Sequence, residues 1–406
     1  MAQTASADTA ERTGNARSRS SEVGGAIKVG ISGWRYKPWR GVFYPEDLAQ
    51  KKELHFASRQ LPTIEINGTF YSLQRPAYFA HWSAETPDDF VFAVKGPRYI
   101  THIKRLKDVE APLANFYASG VLGLRHKLGP FLWQFPPNFK FDPARLDAFF
   151  TLLPKDAATA AALARRHADR PHSRPIVRAA DNRPLRHAME IRNESFRDPA
   201  FIALLRKHGI ALVCADTVAW PRLMDVTSDF VYCRLHGSEV LYTSGYDDPA
   251  LEQWAARIDC WSRGRDAPDG DRASPEPAAK AASRDVFVYF DNDVKVRAPR
   301  DAHSLIVKLE AVTGRKLGSV EAVGPVAQNA MDERATEAPP TYGPRVRARH
   351  EKQPAADGAR DTPPGIKPRA KARGERPGKV AAGPRAASRR KGGKTRPSRS
   401  RPSRAA

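Results

Sequence analysis

The stretch HAMEIRNESFRDPAFIALLRKHGIALVCAD (187–216) contains a complete strand–helix–strand unit. A strand pattern over His187–Arg192 gives way to a helical segment, Pro199–His208, and then to a second apolar strand, Ile210–Cys214. Two strands joined by a crossover of this kind lie parallel, because only an intervening helix returns the chain to the edge it left. Outward from this unit the pattern recurs. Strand-like runs occupy Ile27–Ile31, Thr63–Asn67, Phe90–Lys95, Phe131–Phe135, Phe230–His236 and Val286–Asp291, bringing the strands to eight. Helical segments lie between most of them: Leu48–Gln60, Ala77–Thr86, Ala111–His126, Pro143–Leu153, Pro199–His208 and Pro249–Trp261, with Asp301–Thr313 after the last strand. This alternation predicts an α/β fold, a TIM-type (β/α)8 barrel.

The rest of the chain fits a poorer polymer around that barrel. Of the formal net charge of +22, residues 341–406 supply +16, from 20 Lys and Arg against 4 Asp and Glu. The remainder is close to an ordinary folded balance. The expected organisation is a disordered extension over 1–25, a barrel over 26–315 and a disordered Lys, Arg and Pro-rich tail over 325–406. Within the barrel, residues 263–284 (RGRDAPDGDRASPEPAAKAASR) read as a flexible insertion before the last strand. Residues 155–186 begin as an Ala-rich helix and end rich in Arg, Pro and Asn. Cys214, Cys233 and Cys260 lack metal-ligand or paired spacing, so neither a zinc site nor a disulfide framework is expected. The first 25 residues lack the apolar core of a secretory signal, and no run of about 18 apolar residues is present to span a bilayer. A soluble, cytoplasmic protein is expected.

Strand alternation then locates the chemistry. Glu65 and Asn67 share one strand face, Glu190 and Arg192 another, Arg234 and His236 a third, while Lys95 opposes Val94. Gln134, Asp216, Asp291, Asn292 and Asp293 add polar groups at other strand ends. All of these positions are C-terminal strand ends, where barrel enzymes build their sites, and a barrel interior otherwise favours branched aliphatics. The competing reading is a set of internal salt bridges, for instance Glu65 with Arg234 and Glu190 with Arg192.

Taken together, GISGWRYKPWRGVFYP (30–45), EINGTFYSL (65–73), FVFAVKGPRYITH (90–102), LWQFPPNF (132–139), AMEIRNESF (188–196), ADT (215–217), YCRLHG (232–237) and VYFDND (288–293) resemble the YecE-like proteins, domain of unknown function 72. The resemblance covers about residues 27–313, implies a β/α barrel and names no reaction. Its motifs imply that Glu65, Asn67, Tyr71, Lys95, Arg98, His102, Gln134, Glu190, Arg192, Asp216, Arg234, His236 and Asn292 line a site. Asp291 departs from the family, which often has Asn there.

Lys95, Arg98, Arg192 and Arg234 suit a phosphate or carboxylate. Glu65, Glu190, Asp216 and Asp291 are candidate bases or ligands for a hard divalent ion, so one weakly held Mg²⁺ or Mn²⁺ and no metal at all stay equally open. His236 suits proton transfer near neutrality, or a structural bond to Glu65 or Asp216. Trp34, Tyr36, Trp39, Phe70, Tyr71, Phe135 and Tyr242 offer stacking surfaces, each more often core than site. No phosphate-loop pattern follows the glycines of the first strand, so no nucleotide cofactor is expected. Two functions remain: an enzyme acting on an anionic, perhaps nucleic-acid-derived substrate, with Glu65, Glu190, Asp216 and His236 as its catalytic groups, or a non-catalytic binder. The tail suits sequence-independent, salt-sensitive contact with nucleic acid, because it has cations and no aromatic residues near its end.

Overall fold

A computed structural model describes residues 24–168, 175–237, 241, 244–292 and 296–317. Eight parallel strands, β1 (Ile27–Ser32), β2 (Thr63–Ile66), β3 (Val91–Lys95), β4 (Leu128–Gln134), β5 (His187–Glu190), β6 (Ala211–Asp216), β7 (Phe230–Leu235) and β8 (Asp285–Phe290), close in chain order into a barrel. The fold is therefore the expected TIM-type barrel. Around it lie α1 (Glu53–Gln60), α2 (Gly68–Tyr71), α3 (Pro76–Glu85), α4 (Glu110–Ala118), α5 (Pro143–Leu152), α6 (Ala157–Ala164), α7 (Pro199–His208), α8 (Asp248–Ser262) and α9 (Arg297–Thr313). No helix among the described residues is long and apolar enough to cross a membrane.

Local signals start and stop these helices. Asp142, Asp198 and Asp247 each accept a backbone N–H in the first turn of α5, α7 and α8, with Pro at the first or second helical position. Gly209 ends α7 at φ 67°, a conformation a side chain would strain. The turn then leads directly into β6.

The interior of the barrel is packed rather than hollow. Ala93, Ala188, Ala211 and Ala215 are small, and they leave room for Phe230, Tyr232, Phe287 and Tyr289 from β7 and β8. Gly30 lets β1 approach β2, since a Cβ there would sit 1.9 Å from the Thr63 carbonyl oxygen. The alternate residues of the same strands, among them Ile64, Val94, Trp133, Met189, Cys214 and Cys233, pack outward against the helices.

Among the described residues no helix bridges β6 and β7, so the outer face of β6 needs another cover. Met224 and Val226 of the irregular 217–229 connection lie beside Leu212 and Cys214 there, and residues 263–284 fasten onto that connection. This segment, expected from its composition to be a flexible insertion, has no strand and is joined to its neighbours by side-chain and backbone bonds. Met224 N donates to the Asp271 carbonyl at 2.7 Å, and the buried Asp225 carboxylate accepts from Ala273 N and Ser274 N at 2.8 and 3.0 Å. Arg197 and Arg257 pair with Asp271 and Asp269, and Ala267 joins the core beside Met224. The aspartates that make the segment look solvated are the groups that pin it down.

Candidate functional site

The innermost polar layer stands on the C-terminal ends of the strands and is organised by one guanidinium. Arg234 on β7 has no solvent exposure. Its Nε and Nη2 donate to both oxygens of Glu65 at 3.1 and 3.0 Å, its Nη1 to Glu190 at 2.8 Å, and its Nη2 to Asp291 at 2.9 Å. Bidentate pairing of this kind fixes both partners in one orientation. Glu65 is saturated further by the Ser32 and Tyr232 hydroxyls, each donating at 2.6 Å. Ser32 in turn accepts from Asn67 Nδ2 at 3.0 Å. Glu190 also accepts from Gln134 Nε2 at 2.9 Å and from Arg192 Nε at 2.8 Å. Both salt bridges raised as the competing reading are thus present.

These contacts decide the protonation states. Burial alone would raise the Glu190 and Asp291 carboxyls, but Arg192 and Arg234 hold Glu190 well below the usual range, and Arg234 and His236 do the same for Asp291. Burial pushes the His236 imidazole down, with its Nδ1 3.2 Å from the Asp291 carboxylate and its ring edge against Trp220. His236 is therefore a neutral base at neutral pH, wholly covered by its neighbours.

Lys95, at the end of β3, differs from the other cations. It is 8 % exposed, and its ammonium lies 4.4 Å from the Phe70 ring centroid. Among the described residues no carboxylate pairs with it. Burial and the nearby Arg234 lower its pKa to about 8. Beside it, His102 is pushed down to about 4 by burial and by Lys95, Arg192 and Arg98, and Thr101 Oγ1 lies 2.9 Å from its Nδ1. Arg192 stacks 4.0 Å over Trp220. Tyr71 is 60 % exposed on α2, within electrostatic reach of Asp291, Arg98 and Arg192.

The structure thus gathers Glu65, Asn67, Lys95, Gln134, Glu190, Arg192, Arg234, His236 and Asp291, with Tyr71, Arg98 and His102 at the rim. Two expected members are elsewhere. Ala211, Val213 and Ala215 take the inward positions of β6, so Asp216 faces outward, where it accepts from Arg222 at 2.8 Å. Asn292 follows the outward Phe290 and donates to Asp301 at 2.7 Å and to the Ser244 carbonyl at 3.1 Å. Both were expected in the site from their place near strand ends and from the family motifs, which do not fix the face a side chain takes. Trp34, Trp39 and Phe135 are core, and Tyr36 packs on Trp39. Tyr242 and Asp293 lie outside the described residues. Trp220, Ser32 and Tyr232 were missed. Strand parity with Gly30 and Arg234 would have found the last two, whereas Trp220 sits in an irregular crossover that offers no periodic signal.

For a metal the arrangement is unfavourable. Arg234 occupies the point on which Glu65, Glu190 and Asp291 converge, and no group of three or more His, Cys, Asp or Glu side chains among the described residues is placed to hold an ion.

Fold and site together define a TIM-type barrel with a charged ring at the C-terminal ends of its strands. The chain belongs to the family described as "Protein of unknown function DUF72", whose profile matches residues 28–323. It is 30 % identical over 118 residues to the UPF0759 protein YunF of Bacillus subtilis and 27 % identical over 129 residues to the UPF0759 protein YecE of Escherichia coli K12. Those matches cover 28 % and 31 % of this chain and span 41 % and 43 % of the relatives' lengths. A DUF72 family protein from Thermotoga maritima superposes with a TM-score of 0.53 at 24 % identity, covering 70 % of this chain and 99 % of that one. One from Enterococcus faecalis gives 0.51 at 17 % identity, covering 71 % and 96 %. These structural likenesses speak to the fold.

Proposed function

We propose that the ring is the active site of an enzyme acting on an anionic substrate, one carrying a phosphate or a similar group, with nucleic-acid fragments among the candidates. The observation that supports this most is Lys95, a closed-in cation with no carboxylate partner among the described residues. A buried unpaired charge costs several kcal/mol in general, and a bound anion would offset that cost. Glu65, Glu190 and Asp291 are met by Arg234 and Arg192, so Lys95 brings the ring to neutrality and Arg98 at the rim leaves a positive excess. Arg192, Arg98 and Lys95 hold the anion in this reading. Asp291, 16 % exposed, is the ring carboxylate that reaches solvent, and with His236 behind it forms the pair suited to move a proton. Glu65 and Glu190 act as positioning residues, because every one of their oxygens already accepts a hydrogen bond.

That same saturation favours a second reading, a non-catalytic anion binder. Turnover separates them. The full chain is assayed on phosphomonoesters, phosphodiesters and oligonucleotides, with and without Mg²⁺. The enzyme reading expects product formation that Asp291→Asn lowers by about a hundredfold or more with affinity retained. A ligand that binds but is never turned over, equally well in Asp291→Asn, would establish the binder. In either case the basic segment 325–406, which lies outside the described residues, is taken as a tether to polyanions.

A further inference from the structure

Lys95 is held in place by its backbone and left chemically uncommitted at its tip. Its carbonyl accepts from Thr69 Oγ1 at 2.7 Å, and the next residue, Gly96, donates to the Leu132 carbonyl at 2.8 Å. At the other end, Nζ rests on the Phe70 face while the ring carboxylates Glu65, Glu190 and Asp291 are all engaged by Arg234. For an anion site this is a costly use of lysine. Arg192 and Arg98 already supply permanent cations there, and a lysine meant only to attract charge gains nothing from burial beside another guanidinium. Burial and Arg234 lower its pKa to about 8, so near neutrality roughly a tenth of the side chain carries a free electron pair. A nucleophilic amine needs that pair.

We propose that Lys95 forms an imine with an aldehyde or ketone that also carries a phosphate or carboxylate, the charged group lying against Arg192 and Arg98. The proposal rests on the anion site argued above and narrows its substrate to a carbonyl compound. In the step itself the uncharged Nζ adds to the carbonyl carbon, the carbonyl oxygen is protonated to a hydroxyl, and this leaves as water when the C=N bond forms. The sum is lysine ammonium plus carbonyl giving iminium plus water, with no oxidant or reductant. His102, uncharged at neutral pH and within electrostatic reach of Lys95, and Asp291 across the ring are the groups able to carry the proton between nitrogen and oxygen.

The test traps the imine. The full-length protein is treated near neutral pH with sodium cyanoborohydride and, separately, pyruvate, dihydroxyacetone phosphate or acetone, and labelled peptides are mapped by mass spectrometry. The expected result is a secondary amine at Lys95, formed about tenfold faster with one of the anionic probes than with acetone, the difference one charge-assisted contact makes. Lys95→Arg should lose the label, and Arg192→Ala should slow the anionic probe more than it slows acetone. Label scattered over surface lysines, with Lys95 no more reactive than they are, overturns the proposal, and the wild-type map alone decides this should Lys95→Arg fail to fold. Melting temperatures with the same probes and no reductant separate the two ideas. Stabilisation lost in Arg192→Ala without label at Lys95 keeps the anion site and refutes the imine. Neither stabilisation nor label refutes both.

Discussion

Arg234 is the residue on which the account depends most. Glu65, Glu190 and Asp291 share its guanidinium, and removing it in Arg234→Leu leaves Glu65 and Asp291 without a guanidinium and Glu190 with Arg192 alone. Breaking a buried pair by deleting one partner costs about 3–5 kcal/mol, and the loss of a guanidinium by three carboxylates at once places this variant at the upper end or beyond. Urea unfolding across a pH series checks it. In the wild type the folded-state pKa values of Glu190 and Asp291 are depressed, so their contribution is fully present above about pH 4, the unfolded value, and is lost as pH falls. In Arg234→Leu the same acids are expected to prefer protonation, so the gap between variant and wild type narrows with falling pH. A constant gap would mean that Arg234 is not what holds the acids ionised. Lys95 gives a prediction of the same sign in a more alkaline window. Its folded pKa of about 8 lies below the unfolded 10.5, so the unfolded chain binds more protons between those values and stability rises with pH. Relative to Lys95→Met, the wild type should gain roughly 3 kcal/mol from pH 8 to pH 10.5.

At the scale of elements, the strands and their facing were legible because period-two alternation is a physical consequence of the pleat. Glu65 with Asn67 and Arg234 with His236 follow that rule directly. Asp216 and Asn292, singled out as strand-end groups and by the family motifs, lie off the inward face. Parity counted from Ala215 and Phe290 gives the opposite face. The attachment of residues 263–284 was not legible, because they are held by aspartate side chains and backbone amides rather than by an apolar period. Asp225→Ala tests that attachment. It strands two amide donors, which costs about 1–3 kcal/mol, and limited trypsin digestion should then cut at Arg265 or Arg272 faster than in the wild type. Unchanged digestion would mean that Asp225 does not fasten the segment. Gly30→Ala probes the barrel itself. With a Cβ 1.9 Å from a backbone carbonyl, β1 must move away from β2, so a lower melting temperature is expected.

At the scale of the whole molecule, charge is distributed unevenly along the chain. Residues 341–406 carry +16 of the +22, so deletion of residues 325–406 is expected to abolish retention on DNA at low salt while leaving the melting temperature of the barrel in place. Retention that survives the deletion would assign polyanion contact to the barrel. The central claim, an anion site built on Lys95 and Arg192, is tested most directly by the melting temperature of the full chain against a library of phosphates, sugar phosphates, nucleotides and carboxylates, since a ligand that binds only the folded state raises it. Stabilisation by at least one anion class, lost in Arg192→Ala, is expected. Stabilisation by no anion, or by anions equally in wild type and Arg192→Ala, would contradict it.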